Sequence, residues 1–326
     1  MPWQPQVRSV RLQADLKYDE PPLTTITKLD GDWTAPATAS TAKEAVESLE
    51  RGDVLFFPAL SFAIEAHEAG LFSPAILSSA KNASYDPSTD RVGGTTTEGA
   101  ELERLRGLMA RFSDRADAFV RNLLPSYRGN LQRARASFRP AEIAGRASSW
   151  RKDDTRLHVD SFPASPVQGR RILRLFANVN PSGKARSWRV GDDFERVAGR
   201  FAGRLARPMP GAAIVLRLLR VTKTRRSAYD ALMLQLHDLM KGDADFQAHS
   251  PQTPFDFPAG STWIAFTDQV SHAANAGQYQ LEQTFLLPVT AMSDESRSPL
   301  RILERLKGRR LTSTPWPSPR SSPDDR

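Results

Sequence analysis

His158 and Asp160 sit two residues apart in the stretch RLHVDSFPASPVQG of a 326-residue chain that has only five histidines. On a strand, residues at i and i+2 project to the same side. An imidazole nitrogen and a carboxylate oxygen at this spacing can therefore grip one face of a small cation, with a third ligand arriving from elsewhere in the chain. A 2-His-1-carboxylate set binds non-heme iron(II) and leaves positions open for oxygen and a co-substrate. Alone, His-x-Asp is a common tripeptide, and a hydrogen-bonded surface pair accounts for it as well. Its position says more, because it closes a strand-like run and precedes a Pro-rich loop. Among the other histidines, His67 and His237 fall in helical stretches and His249 in a polar loop. His272 follows the apolar TWIAF and precedes a Gly-containing turn and a last alternating segment, QYQLEQTFLLP. It is the expected third ligand, giving His158-x-Asp160 … His272.

The elements that must position these residues show in the hydrophobic pattern. A helix is expected from Thr41, with a capping-box spacing to Glu44 and Gly52 just past its end. DVLFFPAL reads as a short buried strand, Ala63 to Leu71 as a second helical stretch, and AELERLRGLMARFSDRADAFVRNLLP as the longest helix. After Pro125 the texture turns to short β-like segments around 134–139, 171–180, 186–190, 212–221, 262–267 and 279–289. One helix, SAYDALMLQLHDLMKGD, interrupts them. Helices before strands indicate an α+β fold. The ligand order matches a double-stranded β-helix (jelly-roll, cupin-like) core braced by the N-terminal helices. The expected division is an extended segment at 1–40 and a single catalytic domain at 41–292, helical over 41–125 and β-helical over 126–292. Residues 293–326 would follow as a basic amphipathic helix, SPLRILERLKGRR, and a disordered tail. That helix could lie on an anionic membrane or dock on the protein's own body.

Composition removes several chemistries. The chain has no cysteine, so disulfides, thiolate metal sites and cysteine nucleophiles are excluded. Neither a spanning apolar run nor the layout of a signal peptide is present, which makes a cytoplasmic location the expectation. The formal net charge of +8 favours an anionic partner: nucleic acid, an anionic membrane, or a phosphorylated or acidic substrate. RLLRVTKTRR is the run nearest to a nucleic-acid signal, but it lacks interleaved aromatics and no recognition motif accompanies it, so no nucleic acid is expected.

The blocks SWRKDDTRLHVDSFPASPVQGRRILRLFANVNPSGKARSWRVGDDFERVA and DQVSHAANAGQYQLEQTFLLP, with LERGDVLFFPALSFAI, KNASYDP and ASFRPAEIAG, resemble the 3-deoxy-D-manno-oct-2-ulosonic acid (Kdo) hydroxylase family over roughly residues 45–290. The resemblance implies an iron(II)-dependent dioxygenase using 2-oxoglutarate and O2 to hydroxylate the Kdo sugar of Kdo-lipid A. It implies His158, Asp160 and His272 as metal ligands. A lipid acceptor implies work at the cytoplasmic face of the inner membrane, held peripherally on its anionic surface.

2-Oxoglutarate would bring a distal carboxylate into the barrel, which needs a cation, preferably a bidentate arginine. Many such oxygenases place it about ten residues after the last histidine, where this chain has Glu282. The remaining cations on core strands are Arg171 and Arg174 in RRILRLFANVN and Arg186 in ARSWRV. Arg174 or Arg186 is the expected carboxylate partner, with Asn178 as a polar helper. Arg146, Arg151, Lys152 and Arg156 either line the mouth of the site or pair with Asp153, Asp154 and their neighbours. The alternatives are a 2-oxoglutarate oxygenase acting on a protein or another small molecule, a basic nucleic-acid-binding protein, and a β-sandwich scaffold that binds no metal.

Overall fold

The computed structural model describes residues 24–146, 148–209 and 211–312. Residues 1–23 of the expected extended segment, and 313–326 of the expected tail, lie outside them. The strands are β1 (Ile26–Lys28), β2 (Val54–Phe57), β3 (Ala83–Asp86), β4 (Arg91–Gly93), β5 (Gln132–Arg139), β6 (Arg171–Asn178), β7 (Arg186–Gly191), β8 (Gln252–Phe257), β9 (Thr262–Phe266), β10 (His272–Ala276) and β11 (Gln280–Leu287). The helices are α1 (Ala39–Arg51), α2 (Gly99–Leu123), α3 (Phe194–Phe201), α4 (Ala212–Leu218), α5 (Ala228–Gly242), α6 (Ala244–His249) and α7 (Pro299–Lys307).

An eight-stranded sheet in the order β1-β2-β9-β6-β11-β5-β3-β4 faces a three-stranded sheet, β10-β7-β8. Period-2 alternation divides β6 between two cores. Leu173, Leu175 and Ala177 pack outward under the helices, where α2 lies across β5 and β11. Phe176 points inward into an aromatic cluster with Trp188, Phe257 and Trp263 between the sheets. Arg174 and Asn178 share that inward face by register. The helix-braced β-sandwich is thus the expected α+β jelly-roll.

Several local expectations are corrected. The cap of α1 is Thr38, whose hydroxyl accepts from the Thr41 backbone N–H, so Thr41 lies inside the first turn. Residues 66–71 form a 3-10 turn. The segment 212–221, expected as strand, carries α4. Its Ala, Leu and Arg content suits a helix, and both sheets are complete without it. β8 escapes sequence reading because of Pro254, and it sits at a sheet edge, where a missing N–H is tolerated. α7 starts at Ser298, with Pro299 in its first turn and Gly308 closing it in the left-handed region. Of the two readings of this helix, docking on the body is what the packing gives. Leu300, Ile302 and Leu303 are buried beside α3, while Leu306 is exposed.

Arg171 is a structural ion rather than a site residue. It is fully buried, with Nε 2.9 Å from Asp268 Oδ2 and Nη2 2.6 Å from Gln269 Oε1, and its guanidinium lies 3.8 Å over Phe266. These bonds fasten the β9–β10 turn, which delivers His272, to the start of β6. Truncation would leave Asp268 buried and unpaired. Arg171→Ala should therefore cost about 3–5 kcal/mol in urea unfolding.

Candidate metal centre

The two histidines meet across an isolated antiparallel bridge. His158 N–H donates to His272 C=O at 3.0 Å and His272 N–H returns the bond at 2.9 Å. Directly opposed residues of such a pair project to the same face. Asp160 N–H donates to Thr267 C=O at 2.7 Å, which ties the His158–Asp160 segment to the end of β9. The segment thereby extends the small sheet beyond β10. Gln247 holds it from α6, accepting from Leu157 N–H at 2.9 Å and donating to Leu157 C=O at 2.9 Å.

His158, Asp160 and His272 each present one ligand atom, and these atoms lie within 4.8 Å of one another. His158 Nδ1 lies 2.8 Å from Arg156 C=O and His272 Nδ1 lies 2.9 Å from Val270 C=O. Each Nδ1 therefore carries its proton toward a carbonyl and leaves the Nε2 lone pair free, the tautomer a metal requires. The rings stand 4.6 Å apart, and His272 stacks on Trp188 at 5.0 Å. Asp160 Oδ2 accepts no hydrogen bond, although Arg174 Nη1 lies 3.3 Å away. Two neutral imidazoles and an under-satisfied carboxylate converging on one point fit a divalent cation with open positions.

The electrostatics agree. Burial drives both histidines below their ordinary value, and for His158 the neighbouring His272 adds to it. Burial alone would raise Asp160, but the charge of Arg174 leads the effects that outweigh it and hold the carboxylate well below its usual range. The pH consequence for the metal-free protein follows. Above about pH 6.5 neither folded nor unfolded chain protonates these rings. As pH falls through that value the unfolded chain takes up protons that the fold refuses, so stability falls with acidification. Melting temperatures of the metal-free protein should therefore drop between about pH 7 and 5, with a slope of up to ~1.4 kcal/mol per pH unit for each such histidine.

Beyond the triad, the inward faces carry a charged chain. Arg174 Nη1 lies 3.3 Å from both Asp160 and Glu282, and Glu282 is held in turn by Arg139, Nε to Oε2 at 3.1 Å. Arg186 enters from β7 on the same face as Trp188 and is 3% exposed. It donates from Nη1 to Gly277 C=O at 2.6 Å, its Nε has no partner, and no carboxylate lies within 4.0 Å of it among the described residues. Burial and then the charge of Arg139 push it down to about 9. Gly277 is required beneath it, because a Cβ there would stand 2.9 Å from Arg186 Cδ. Two arginines of the expected set thus behave differently, Arg174 being engaged and Arg186 uncompensated. Asn178 is corrected: its amide donates to Lys184 C=O and Phe257 C=O at 3.0 Å each, and its oxygen accepts from Asn180 N–H, so it braces a loop.

Of the basic residues before the triad, Arg146 pairs with Asp154, Arg151 with Asp238 and Arg156 with Asp153. Sequence reasoning missed three residues near the site. Arg139 was passed over at the end of β5. His237 stands 5.4 Å from the His158 ring, and Lys241, one turn further along α5, is buried with Nζ 3.2 Å from Arg151 C=O. Their i, i+4 spacing marks one helix face, but nothing local announces that this face turns to the site.

The family model described as 3-deoxy-D-manno-oct-2-ulosonic acid (Kdo) hydroxylase matches residues 32–310. Among solved structures, the chain is similar to the Kdo hydroxylase KdoO, a non-heme Fe(II) α-ketoglutarate-dependent dioxygenase, in complex with cobalt(II). That match has 48% identity and a TM-score of 0.87, and covers 89% of this chain and 98% of the other. The same enzyme with α-ketoglutarate and Fe(III) matches at 46% identity and a TM-score of 0.86, and with succinate and Fe(III) at 47% and 0.86, each over 89% and 98% of the two chains. No curated protein matches.

Proposed function

The chain belongs to the Kdo hydroxylase family, and from that premise we propose that it is an iron(II)- and 2-oxoglutarate-dependent dioxygenase that hydroxylates the Kdo sugar of Kdo-lipid A. The observation that carries the site assignment is the convergence of His158 Nε2, Asp160 and His272 Nε2 in their metal-ready protonation states. Bound there, iron couples the oxidative decarboxylation of 2-oxoglutarate by O2, giving succinate and CO2, to replacement of a sugar C–H by C–OH.

The chain's own residues do the rest. Backbone carbonyls hold both imidazoles in the ligating tautomer, and Arg174 orients Asp160. Arg186 takes the distal carboxylate of 2-oxoglutarate, since it is a buried core-strand cation with no carboxylate within 4.0 Å among the described residues and lies two residues from the indole that covers His272. The orphaned Trp188 Nε1 offers a further donor beside it. The aromatic cluster of Phe176, Trp188, Phe257 and Trp263 closes the far end of the barrel to water. The catalytic domain is wider than the expected 41–292, since β1 pairs with β2 in the large sheet and α7 packs against α3. No helix among the described residues is long and apolar enough to cross a membrane, and the enzyme reaches its lipid substrate peripherally, from the cytoplasmic face of the inner membrane.

The test is to supply iron(II)-loaded protein with 2-oxoglutarate, O2 and Kdo-lipid A. Succinate should form in step with a lipid carrying one added oxygen on Kdo by mass spectrometry. Succinate formation that Kdo-lipid A does not stimulate would overturn the substrate, and no succinate under any condition would overturn the chemistry.

A further inference from the structure

Seven large apolar side chains are exposed among the described residues, and six of them cluster in and around α4: Met209, Ile214, Val215, Leu218, Leu219 and Val221. Met209 and Leu218 are 79% and 76% exposed. Ile214, Val215 and Leu218 share a helix face, and Leu219 continues it. Such a concentration on a surface marks an interaction site. The charge around it is one-sided. No acidic residue occurs between Glu195 and Asp230, and Arg207, Arg217, Arg220, Lys223 and Arg225 are exposed there with no carboxylate partner among the described residues.

An apolar helix face rimmed by cations is the composition that seats in the headgroup region of an anionic bilayer. Nucleic acid would use the cations and leave the leucines in water. A second copy of this chain would cover the leucines while opposing like charges. The basic helix α7 does not compete for the role. Its apolar side is buried, Arg301 is held by Glu295 and Glu304, and Lys307 donates to Ala202 C=O and Leu205 C=O.

Position adds the functional link. Lys223 N–H donates to Ala164 C=O at 2.9 Å and Arg226 Nη2 to Pro163 C=O at 2.7 Å. Pro163 and Ala164 belong to the loop that leaves Asp160. The exposed segment is therefore fastened to the chain that carries a metal ligand.

We infer that residues 207–209 and 211–225 are the surface by which the enzyme seats on an anionic lipid bilayer, next to the loop that leaves Asp160. The inference rests on the assignment of a lipid-linked substrate. The full-length protein is sedimented with phosphatidylglycerol–phosphatidylethanolamine vesicles that contain no Kdo. The wild type should bind these, should bind phosphatidylcholine vesicles at least 10-fold more weakly, and should be released by salt. Leu218→Asp/Leu219→Asp should bind at least 10-fold more weakly than the wild type, with an unchanged thermal melt and unchanged turnover of a water-soluble, lipid-free Kdo glycoside. Equal vesicle binding by variant and wild type would overturn the proposal. So would a wild-type dimer that the variant converts to monomer, since the patch would then cover a second copy. Because the vesicles carry no substrate, failure of the wild type to oxidise the soluble glycoside would count against the substrate assignment and leave the vesicle result standing.

Discussion

His158→Ala should abolish turnover and weaken iron(II) binding by at least about 100-fold. Losing an outer-sphere partner of a metal ligand already costs roughly 10–100-fold, and His158 would supply an inner-sphere nitrogen. Its Nδ1 proton is committed to Arg156 C=O, so Nε2 has no other function that the geometry reveals. Anaerobic iron(II) titration, read by calorimetry, measures the loss. Unchanged affinity would remove the triad from the assignment. The same variant has a second signature that a misfolded protein would lack. It deletes one of the buried neutral imidazoles, so the metal-free variant should lose less stability than the wild type between about pH 7 and 5. Asp160→Asn should likewise lose iron while keeping the fold, because the amide preserves the side chain's volume and the Asp160 backbone bond to Thr267 is untouched.

Arg186→Met should raise the KM for 2-oxoglutarate by roughly 30-fold or more and leave iron affinity unchanged. Truncating one partner of a buried, hydrogen-bonded charge pair costs about 2–5 kcal/mol, and in the proposed assignment the other partner is the distal carboxylate of the co-substrate. Without the co-substrate the side chain is a desolvated cation beside Arg139, bonded to one carbonyl. Methionine fills a similar volume without charge, so the unliganded variant should be no less stable than the wild type. A purely structural Arg186 would give the opposite pattern, a lower melting temperature with an unaltered KM. Arg174→Met provides the contrast, since Arg174 touches Asp160 as well as Glu282 and its loss should disturb iron affinity and turnover together.

Much of the candidate site was legible in the chain because its chemistry is local or ordered. His158 and Asp160 are two apart on an extended segment, which fixes their common side, and His272 follows a recognisable apolar strand. The arginines on β6 and β7 stood out because charge interleaved with Leu, Phe and Trp is costly unless used. Asn178 misled for the same reason: a polar residue on an inward face can serve a ligand or a neighbouring loop, and only its partners, the carbonyls of Lys184 and Phe257, decide between them. The segment 212–221 misled because a short apolar run carries no period that separates a buried strand from an exposed helix.

By itself the sequence determined the fold class, the helices that brace the sheets, and the candidate ligand tripeptide with its distant histidine, since these follow from residue type, periodicity and order along the chain. The tertiary structure alone decided which charges are spent and which are free. Arg171 is neutralised by Asp268, Arg174 is shared between Asp160 and Glu282, and Arg186 has no anion within 4.0 Å among the described residues, although all three read alike as arginines on core strands. It also decided that α7 docks on the body while α4 presents its leucines outward. Both decisions turn on contacts between residues far apart in the chain. An ion's energy depends on what stands within a few ångströms of it, and a helix's role depends on which surface covers its apolar face.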